Sequence, residues 1–233
     1  MKFDTPLVPG RLIRRYKRFL ADVMLENGEV VTAHCTNSGT MKSCLEEGAE
    51  VMLSRATDPK RKTRFTWEMI SIGGNWVGIN TGVPNKLAYE ALKNNRIMGL
   101  RGFTTIRREV RFGDSRFDLY AEKPGEKCFI EVKNVTLKDG IWARFPDAVT
   151  VRGLKHLHGL MEVRRLGMRA VMLYIIQRSD VEIFGPARDI DPAYANALLL
   201  AFLEGVEVIP VMAGITTGEI ITGRIMPFDL GQS

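Results

Sequence analysis

The chain has 233 residues, 45% of them apolar, and a formal net charge of +6. This composition predicts a packed core and excludes a disordered chain, and no apolar run approaches the roughly 20 residues of a membrane span. Three cysteines without a C-x-x-C pair argue against a disulfide framework or a zinc ribbon, and they favour a reducing, cytoplasmic location.

Residues 1–82 are predicted to form a small all-β domain. An Asn27-Gly28 dipeptide between the runs RRYKRFLADVML and EVVTAHC is typical of a β-hairpin, and a Gly73-Gly74 turn separates two later runs. Five or so short strands without a long helix favour a small barrel, and an OB-like barrel fits the size. The segment TGVPNK (81–86) breaks the pattern, so we place a domain boundary there.

Residues 83–233 are predicted to form a mixed α/β domain. Pro84 suits a first helical turn, and the runs EVRF, RFDLYA and KCFIEVKNV predict a meander of three strands. In the helix that follows, Val151 is expected on the apolar face. The further predicted elements are this helix at 149–166, a buried strand at 170–177, a helix at 191–204 and strands near 206–211 and 219–225.

Three charged residues interrupt the apolar runs of the hairpin predicted at 115–135. Asp118 lies on the first run, and Glu131 and Lys133 lie on the second. Side chains alternate across a strand, so Glu131 and Lys133 share a face, pairing can bring Asp118 beside them, and Phe117 is expected to face the other way. Carboxylates are ligands that Mg²⁺ prefers, and a lysine can offset developing negative charge. The alternative is an ordinary solvated face.

Two more polar residues extend this pattern: Glu90 lies on the first predicted helix, and Gln177 ends the predicted buried strand. This order resembles the PD-(D/E)XK restriction-endonuclease-like superfamily. The resemblance implies a metal-dependent phosphodiesterase centre of Glu90, Asp118, Glu131 and Lys133, with Gln177 as an ancillary residue. It implies Mg²⁺ or Mn²⁺ as the cofactor, with Asp118, Glu131 and Glu90 as the metal ligands.

Longer segments sharpen the resemblance: AHCTNSGTMKSC (33–44), VPNKLAYEAL (83–92) and RFPDAVTVRGLKHL (144–157). They resemble the sugar fermentation stimulation protein (SfsA) family over essentially the whole chain. The resemblance implies an OB-like domain followed by a nuclease-like domain, DNA binding with little sequence preference, and a link to the regulation of sugar metabolism. One departure from the superfamily is Phe117, which stands where the motif name has proline.

Two basic clusters favour a phosphate-bearing partner, RLIRRYKR (11–18) and RATDPKRKTR (55–64). Phe65 and Trp67 follow the second cluster and are expected either to stack on bases or to belong to the core. In the helix at 149–166, three polar residues share one side and are expected either to contact phosphates or to form a surface cluster. The predicted nucleic-acid-binding residues are Arg14, Arg15, Lys17, Arg18, Lys60, Arg61, Lys62, Arg64, Arg152, Lys155 and His156.

Three functional interpretations are compatible with these features. The first is a Mg²⁺- or Mn²⁺-dependent nuclease with an accessory binding barrel. The second is a regulatory DNA-binding protein that keeps a catalytically silent nuclease fold, and the third is a small-molecule-binding barrel fused to another class of enzyme. The carboxylates favour the first, since a pure binder gains nothing from acids that repel phosphate. We expect DNA, single- or double-stranded, as the partner and no membrane, and a homodimer is compatible with the sequence.

Overall fold

The computed structural model describes residues 1–58 and 60–231, and its N-terminal part is a small barrel. Its strands are β1 (Val8–Tyr16), β2 (Leu20–Leu25), β3 (Val30–His34), β4 (Glu50–Arg55), β5 (Phe65–Ile72) and β6 (Asn75–Gly78). They follow the order β3-β2-β1-β4-β5-β6, and a short parallel pairing of β3 with β5 closes the first five into a barrel. The predicted OB-like barrel is thereby confirmed.

The barrel interior is apolar and encloses both aromatic residues that follow the second basic cluster. Trp67 is fully buried, and its Nε1 donates to the carbonyl of Met69 at 3.0 Å. Phe65 is also buried, and alternate residues of β2, among them Ala21 and Val23, point into the same core. The alternative that both rings belong to the core is therefore correct: Trp67 is enclosed, and Phe65 is buried with the Arg55 guanidinium over its ring.

The second part of the chain is a six-stranded mixed sheet covered by helices. Its main elements are α1 (Val83–Lys93), β7 (Thr105–Phe112), β8 (Ser115–Lys123), β9 (Glu126–Val135), α2 (Val151–Arg165), β12 (Arg169–Ile176), α3 (Pro192–Leu203), β14 (Glu207–Ile215) and β15 (Ile220–Ile225). The strand order is β15-β14-β12-β9-β8-β7, in which β12 runs parallel to both β9 and β14. The predicted mixed sheet with flanking helices is confirmed.

Helices cover both faces of this sheet. On one face α1 contributes buried residues to a core that includes Leu173 and Ile175 of β12, and on the other α2 and α3 pack over Met172 and Tyr174. Because β12 is buried on both sides, its sequence is a continuous apolar run, as expected for a central parallel strand.

Two features of this domain differ from the expectation. A small additional sheet has the order β10-β11-β13, with β10 at Leu137–Asp139, β11 at Trp142–Phe145 and β13 at Ile183–Pro186. Strands of three or four residues are too short to show a periodicity. The second difference is Val151, which is 79% exposed and does not belong to the apolar face of α2.

Among residues 1–58 and 60–231, no helix combines the length and the apolar character that crossing a membrane would require.

Candidate metal centre and interdomain cleft

Asp118 lies on β8, just beyond the last residue pair that joins β8 to β9, Leu119↔Ile130. Beyond this pair the backbone of β8 no longer bonds to β9, and the amide of Val132 donates instead to Asp118 Oδ2 at 2.9 Å. Oδ1 accepts from Asn85 Nδ2 of α1 at 2.7 Å. Burial and the negative charge of Glu131 raise the pKa of Asp118 to about 6. Asp118 is thus hydrogen-bonded to the residue that follows Glu131, and its other contact is with α1.

Glu131 of β9 is the most buried of these charged groups, with 3% of its side chain exposed. Its Oε1 atom accepts from Lys133 Nζ at 2.7 Å and also contacts Nδ1 of His156. Burial by itself would raise the pKa of Glu131, but hydrogen bonds from His156 and Lys133 lower it below its ordinary value. The Oε2 atom is buried and has no hydrogen-bond partner within the described residues. A buried, unpartnered carboxylate oxygen is costly unless something else binds it.

His156 belongs to this centre and not to the helix surface. Only 5% of the residue is exposed, and Nδ1 lies 3.3 Å from Lys133 Nζ. The prediction that His156 contacts phosphates on an exposed face is therefore wrong. The signal that could have placed it is the buried stripe Gly153, His156, Leu157 and Leu160, whose spacing of three and four residues marks the inner face of α2.

The structure does not bring Glu90 to the carboxylate pair. The Glu90 carboxylate forms an ion pair with the N-terminal ammonium at 3.1 Å, and 45% of its side chain is exposed. Asn85, five residues earlier on α1, contacts Asp118 instead. A helix rotates by about 100° per residue, so Glu90 faces about 140° away from Asn85. In the part of the chain that the structure describes, no three Asp, Glu, His or Cys side chains form a metal-binding group.

Gln177 also lies apart from the carboxylates. It is fully buried on the α1 side of the sheet, where its Nε2 donates to Asn134 Oδ1 at 2.8 Å. Its carbonyl accepts from Gly78 N of the barrel at 2.9 Å, and a Cβ atom on Gly78 would lie 2.5 Å from Gln177 Oε1. These contacts indicate that Gln177 joins the second domain to the barrel.

A cleft of about 430 Å³ lies between the barrel and the second domain. Its barrel wall contains Arg18 and the turn at 37–39, and its opposite wall contains Asn134, Arg144 and Thr150. Asn134 directly follows Lys133, and Thr150 caps the helix that carries His156. The cleft is therefore built from the same elements as the charged centre.

Two arginines of the first basic cluster help to shape the cleft. Arg15 Nη2 donates to the carbonyls of Asn37 and Gly39 at 2.8 and 3.0 Å, and Arg18 Nη2 donates to the carbonyl of Ser38 at 2.9 Å. Arg15 is half-buried, so its main role in this structure is to hold the turn. Arg18 is exposed and is the residue of this cluster that lines the cleft.

The other predicted nucleic-acid-binding residues lie on the surface. Arg14 forms an ion pair with Asp22 at 2.9 Å, and Arg61 Nη1 donates to Thr66 Oγ1 at 3.1 Å. The remaining exposed members are Lys17, Lys60, Lys62, Arg64, Arg152 and Lys155. Each can reach an anionic partner without unfolding of the chain.

Comparison with known proteins places this geometry in a family. Residues 13–79 match the model described as the SfsA N-terminal OB domain, and residues 82–219 match the sugar fermentation stimulation protein RE domain. A sugar fermentation stimulation protein homolog of Geobacter metallireducens is 51% identical over 228 residues, covering 97% of this chain and 98% of that protein. A homolog of Geobacter sulfurreducens is 50% identical over 233 residues, with complete coverage of both.

A solved structure shows the same fold. The structure of Pyrococcus furiosus SfsA in complex with Ca²⁺ superposes with a TM-score of 0.90 and 28% sequence identity, covering 98% of each chain. The matched families, the related sequences and the solved structure all agree with the resemblance seen in the sequence. The chain belongs to the sugar fermentation stimulation protein (SfsA) family.

Proposed function

We propose that this protein binds DNA with low sequence specificity and hydrolyses phosphodiester bonds in a reaction that depends on Mg²⁺ or Mn²⁺. The observation that carries the proposal is the buried, unpartnered Oε2 atom of Glu131, on the strand whose next residue, Val132, donates to the carboxylate of Asp118. Two acids that repel each other in a buried place are stabilised when a cation binds between them. The proposal concerns a function of the second domain, with the barrel as an accessory binding surface.

The residues of the centre fit a hard divalent cation. Asp118 and Glu131 would hold it, and Mg²⁺ commonly uses one or two carboxylates and completes its coordination with waters and substrate phosphates. The Ca²⁺ complex of Pyrococcus furiosus SfsA supports the assignment, because Ca²⁺ also prefers oxygen ligands. When bound, such a cation supplies a Lewis acid for the phosphoryl group.

The neighbouring side chains have complementary roles. Lys133 and His156 both contact Oε1 of Glu131, which fixes the carboxylate and leaves Oε2 free for a ligand. The Lys133 ammonium is also the group best placed to offset negative charge that develops on the phosphate. Asn85 and the Val132 amide hold Asp118 in place in the same way. Preorganised groups of this kind need little rearrangement during the reaction.

A catalytically silent DNA-binding role is the second candidate, and one observation favours it. The ion pair between Lys133 and Glu131 partly neutralises the carboxylate without any cation. In this case the cleft and the basic clusters would carry the function, and a regulatory role would agree with the family name. Contacts with phosphates are independent of sequence, so low specificity is expected in both cases.

The decisive experiment is a cleavage assay with single-stranded DNA, linear duplex and supercoiled plasmid. We expect cleavage with Mn²⁺ or Mg²⁺ and none with EDTA, because Lys133 supplies charge but not the Lewis acid that a bound cation would supply for the phosphoryl group. Calorimetric titration with Mn²⁺ accompanies the assay. DNA binding without cleavage, by a protein that binds no divalent cation in calorimetry, would contradict the nuclease proposal in favour of the silent one.

The barrel is expected to contribute part of the DNA affinity. Reversing three exposed charges, Lys60→Glu, Arg61→Glu and Lys62→Glu, should weaken binding about tenfold or more at 0.1 M salt. The slope of log K against log salt concentration should also fall by up to about 0.9 for each lost phosphate contact. Fluorescence anisotropy with a labelled duplex measures both quantities.

The matched control for this variant changes the net charge equally on the second domain. It combines Lys93→Glu, Lys127→Glu and Arg224→Glu, three exposed residues outside the basic clusters. If both triple variants lose the same affinity, the effect comes from net charge and the barrel has no specific role.

A further inference from the structure

Two valines at the start of α2 are the most exposed large apolar side chains in the described part of the chain. Val149 is 70% exposed and Val151 is 79% exposed. Val149 lines the interdomain cleft, and Val151 is the first residue of the helix that carries His156. Single exposed apolar residues are common on proteins, but two of them, two positions apart beside a polar cleft, are a candidate contact surface.

The backbone that carries these valines is held firmly. Thr150, between them, donates its amide to Asp191 Oδ2 at 2.8 Å and accepts at Oγ1 from Gly153 N at 3.1 Å. A Cβ atom on Gly153 would lie 2.7 Å from Thr150 Cγ2, so the absence of a side chain at Gly153 lets Thr150 pack closely against the helix. The two valines therefore flank a residue that is held by hydrogen bonds to Asp191 and Gly153.

Three exposed cations lie near the valines: Arg152 and Lys155 on the same helix, and Arg18 in the cleft. Arg144 also lines the cleft, but it is paired with Asp139 and Asp189. The acid of the cleft, Asp147, packs so close to Gly39 that a Cβ there would lie 2.0 Å from its Oδ2. Apolar side chains surrounded by arginine and lysine suit a nucleic acid, whose phosphates contact the cations while an exposed base contacts the apolar group.

The position of the valines relative to the charged centre is set by α2. Val151 lies five positions before His156, which corresponds to about 7.5 Å along the helix axis and about 140° around it. His156 therefore faces Glu131 inside the domain, while Val151 faces outwards. A strand that meets the valines would lie against the outer side of α2 at the edge of the cleft.

We infer that Val149 and Val151 form an apolar wedge that inserts at an unstacked base step at the edge of the interdomain cleft. The substrate class is then duplex DNA with a local defect, such as a mismatch, a nick or a strand junction, and not an intact duplex. This inference rests on the proposed DNA binding and deepens it. Separating stacked bases is costly, so a step that is already unstacked accepts such a wedge more readily.

The test compares two duplexes in EDTA, which prevents cleavage: one with a central mismatch beside 2-aminopurine, and the same duplex fully paired. The wild-type protein should bind the mismatched duplex about tenfold more tightly and raise its 2-aminopurine fluorescence. The variant Val149→Ser/Val151→Ser should lose both effects and keep its affinity for the paired duplex, because the basic residues are unchanged.

The control variant Leu166→Ser/Leu203→Ser removes two similarly exposed apolar side chains elsewhere, and it should behave as wild type. Equal affinity of the wild-type protein for the two duplexes, or a preference that survives the valine double variant, would overturn the inference and leave the proposed function intact. Failure to bind either duplex would overturn both.

Discussion

Glu131→Gln should abolish Mn²⁺ binding and lower the rate of DNA cleavage by more than about 100-fold. The amide has nearly the same shape as the carboxylate, and its oxygen can still accept hydrogen bonds from Lys133 and His156. The NH₂ group then takes the place of Oε2 and directs its hydrogens towards the cation, which cannot bind them. Loss of residues that only support a metal ligand already costs 10- to 100-fold, so loss of the ligand itself should cost more.

Two variants make this result interpretable. Lys133→Ala should keep Mn²⁺ binding, since an ammonium is not a metal ligand. The variant should lose cleavage, because it lacks the ammonium proposed to stabilise the reacting phosphate. Glu26→Gln removes an exposed carboxylate of the barrel and should leave both properties unchanged. Unaltered Mn²⁺ binding by Glu131→Gln in calorimetry would show that the cation, if any, binds elsewhere.

Asp118→Asn should impair cation binding but should increase the stability of the cation-free protein. The pKa of Asp118 is raised to about 6 by burial and by the nearby Glu131. A raised pKa means that the native protein binds the proton more tightly than the unfolded chain, so ionised Asp118 destabilises the fold at neutral pH. A pKa of about 6 in place of the ordinary 3.8 corresponds to about 2 to 3 kcal/mol of folding free energy. The amide oxygen can keep the hydrogen bond from Val132 N, and the NH₂ group can donate to Asn85 once the Asn85 amide turns its oxygen towards it. The neutral amide should then stabilise the cation-free protein by about 2 kcal/mol at pH 7.

The gain in stability from Asp118→Asn should depend on pH and should shrink as the pH falls. The destabilisation by Asp118 is complete above pH 6, shrinks as the pH falls through the native pKa, and vanishes near pH 4, where the unfolded chain is also protonated. The free-energy difference between Asp118→Asn and wild type should follow the same course. Urea unfolding in EDTA from pH 4 to 8 measures it.

Asp114→Asn is the control, because Asp114 is exposed in the turn between β7 and β8. Added Mg²⁺ should stabilise the wild type and not the Asp118 variant, because a ligand stabilises only the state that binds it. A free-energy difference that stays constant over this pH range would show that Asp118 does not titrate as proposed.

Much of the fold follows from local sequence patterns. The Asn27-Gly28 turn, the long apolar run of β12 and the alternating residues of β9 depend on interactions between residues close in the chain. Glu131 and Lys133 share a face for the same reason, since strand geometry alone places residues i and i+2 together. The carboxylate–lysine part of the site could therefore be predicted from a few residues.

Other parts of the site depended on how distant elements pack. Phe117 was expected on the face opposite Glu131, yet its ring packs against Phe129 and His156 under α2. The regular alternation of β8 is interrupted at Asp118, opposite Glu109 of β7, which has a φ of 56°. Such an irregularity arises from the fit between strands, so no pattern within one strand reveals it.

The helices show the same division between sequence and tertiary structure. The sequence by itself determined that α1 and α2 would form and that β9 would carry an acid and a lysine on one face. Only the packing of each helix on the sheet decided its rotation, which directs Asn85 in place of Glu90 to Asp118 and turns His156 towards Glu131. Helix formation depends on residues three and four positions apart, whereas these contacts join residues 33 and 25 positions apart, and their geometry is set by the whole core.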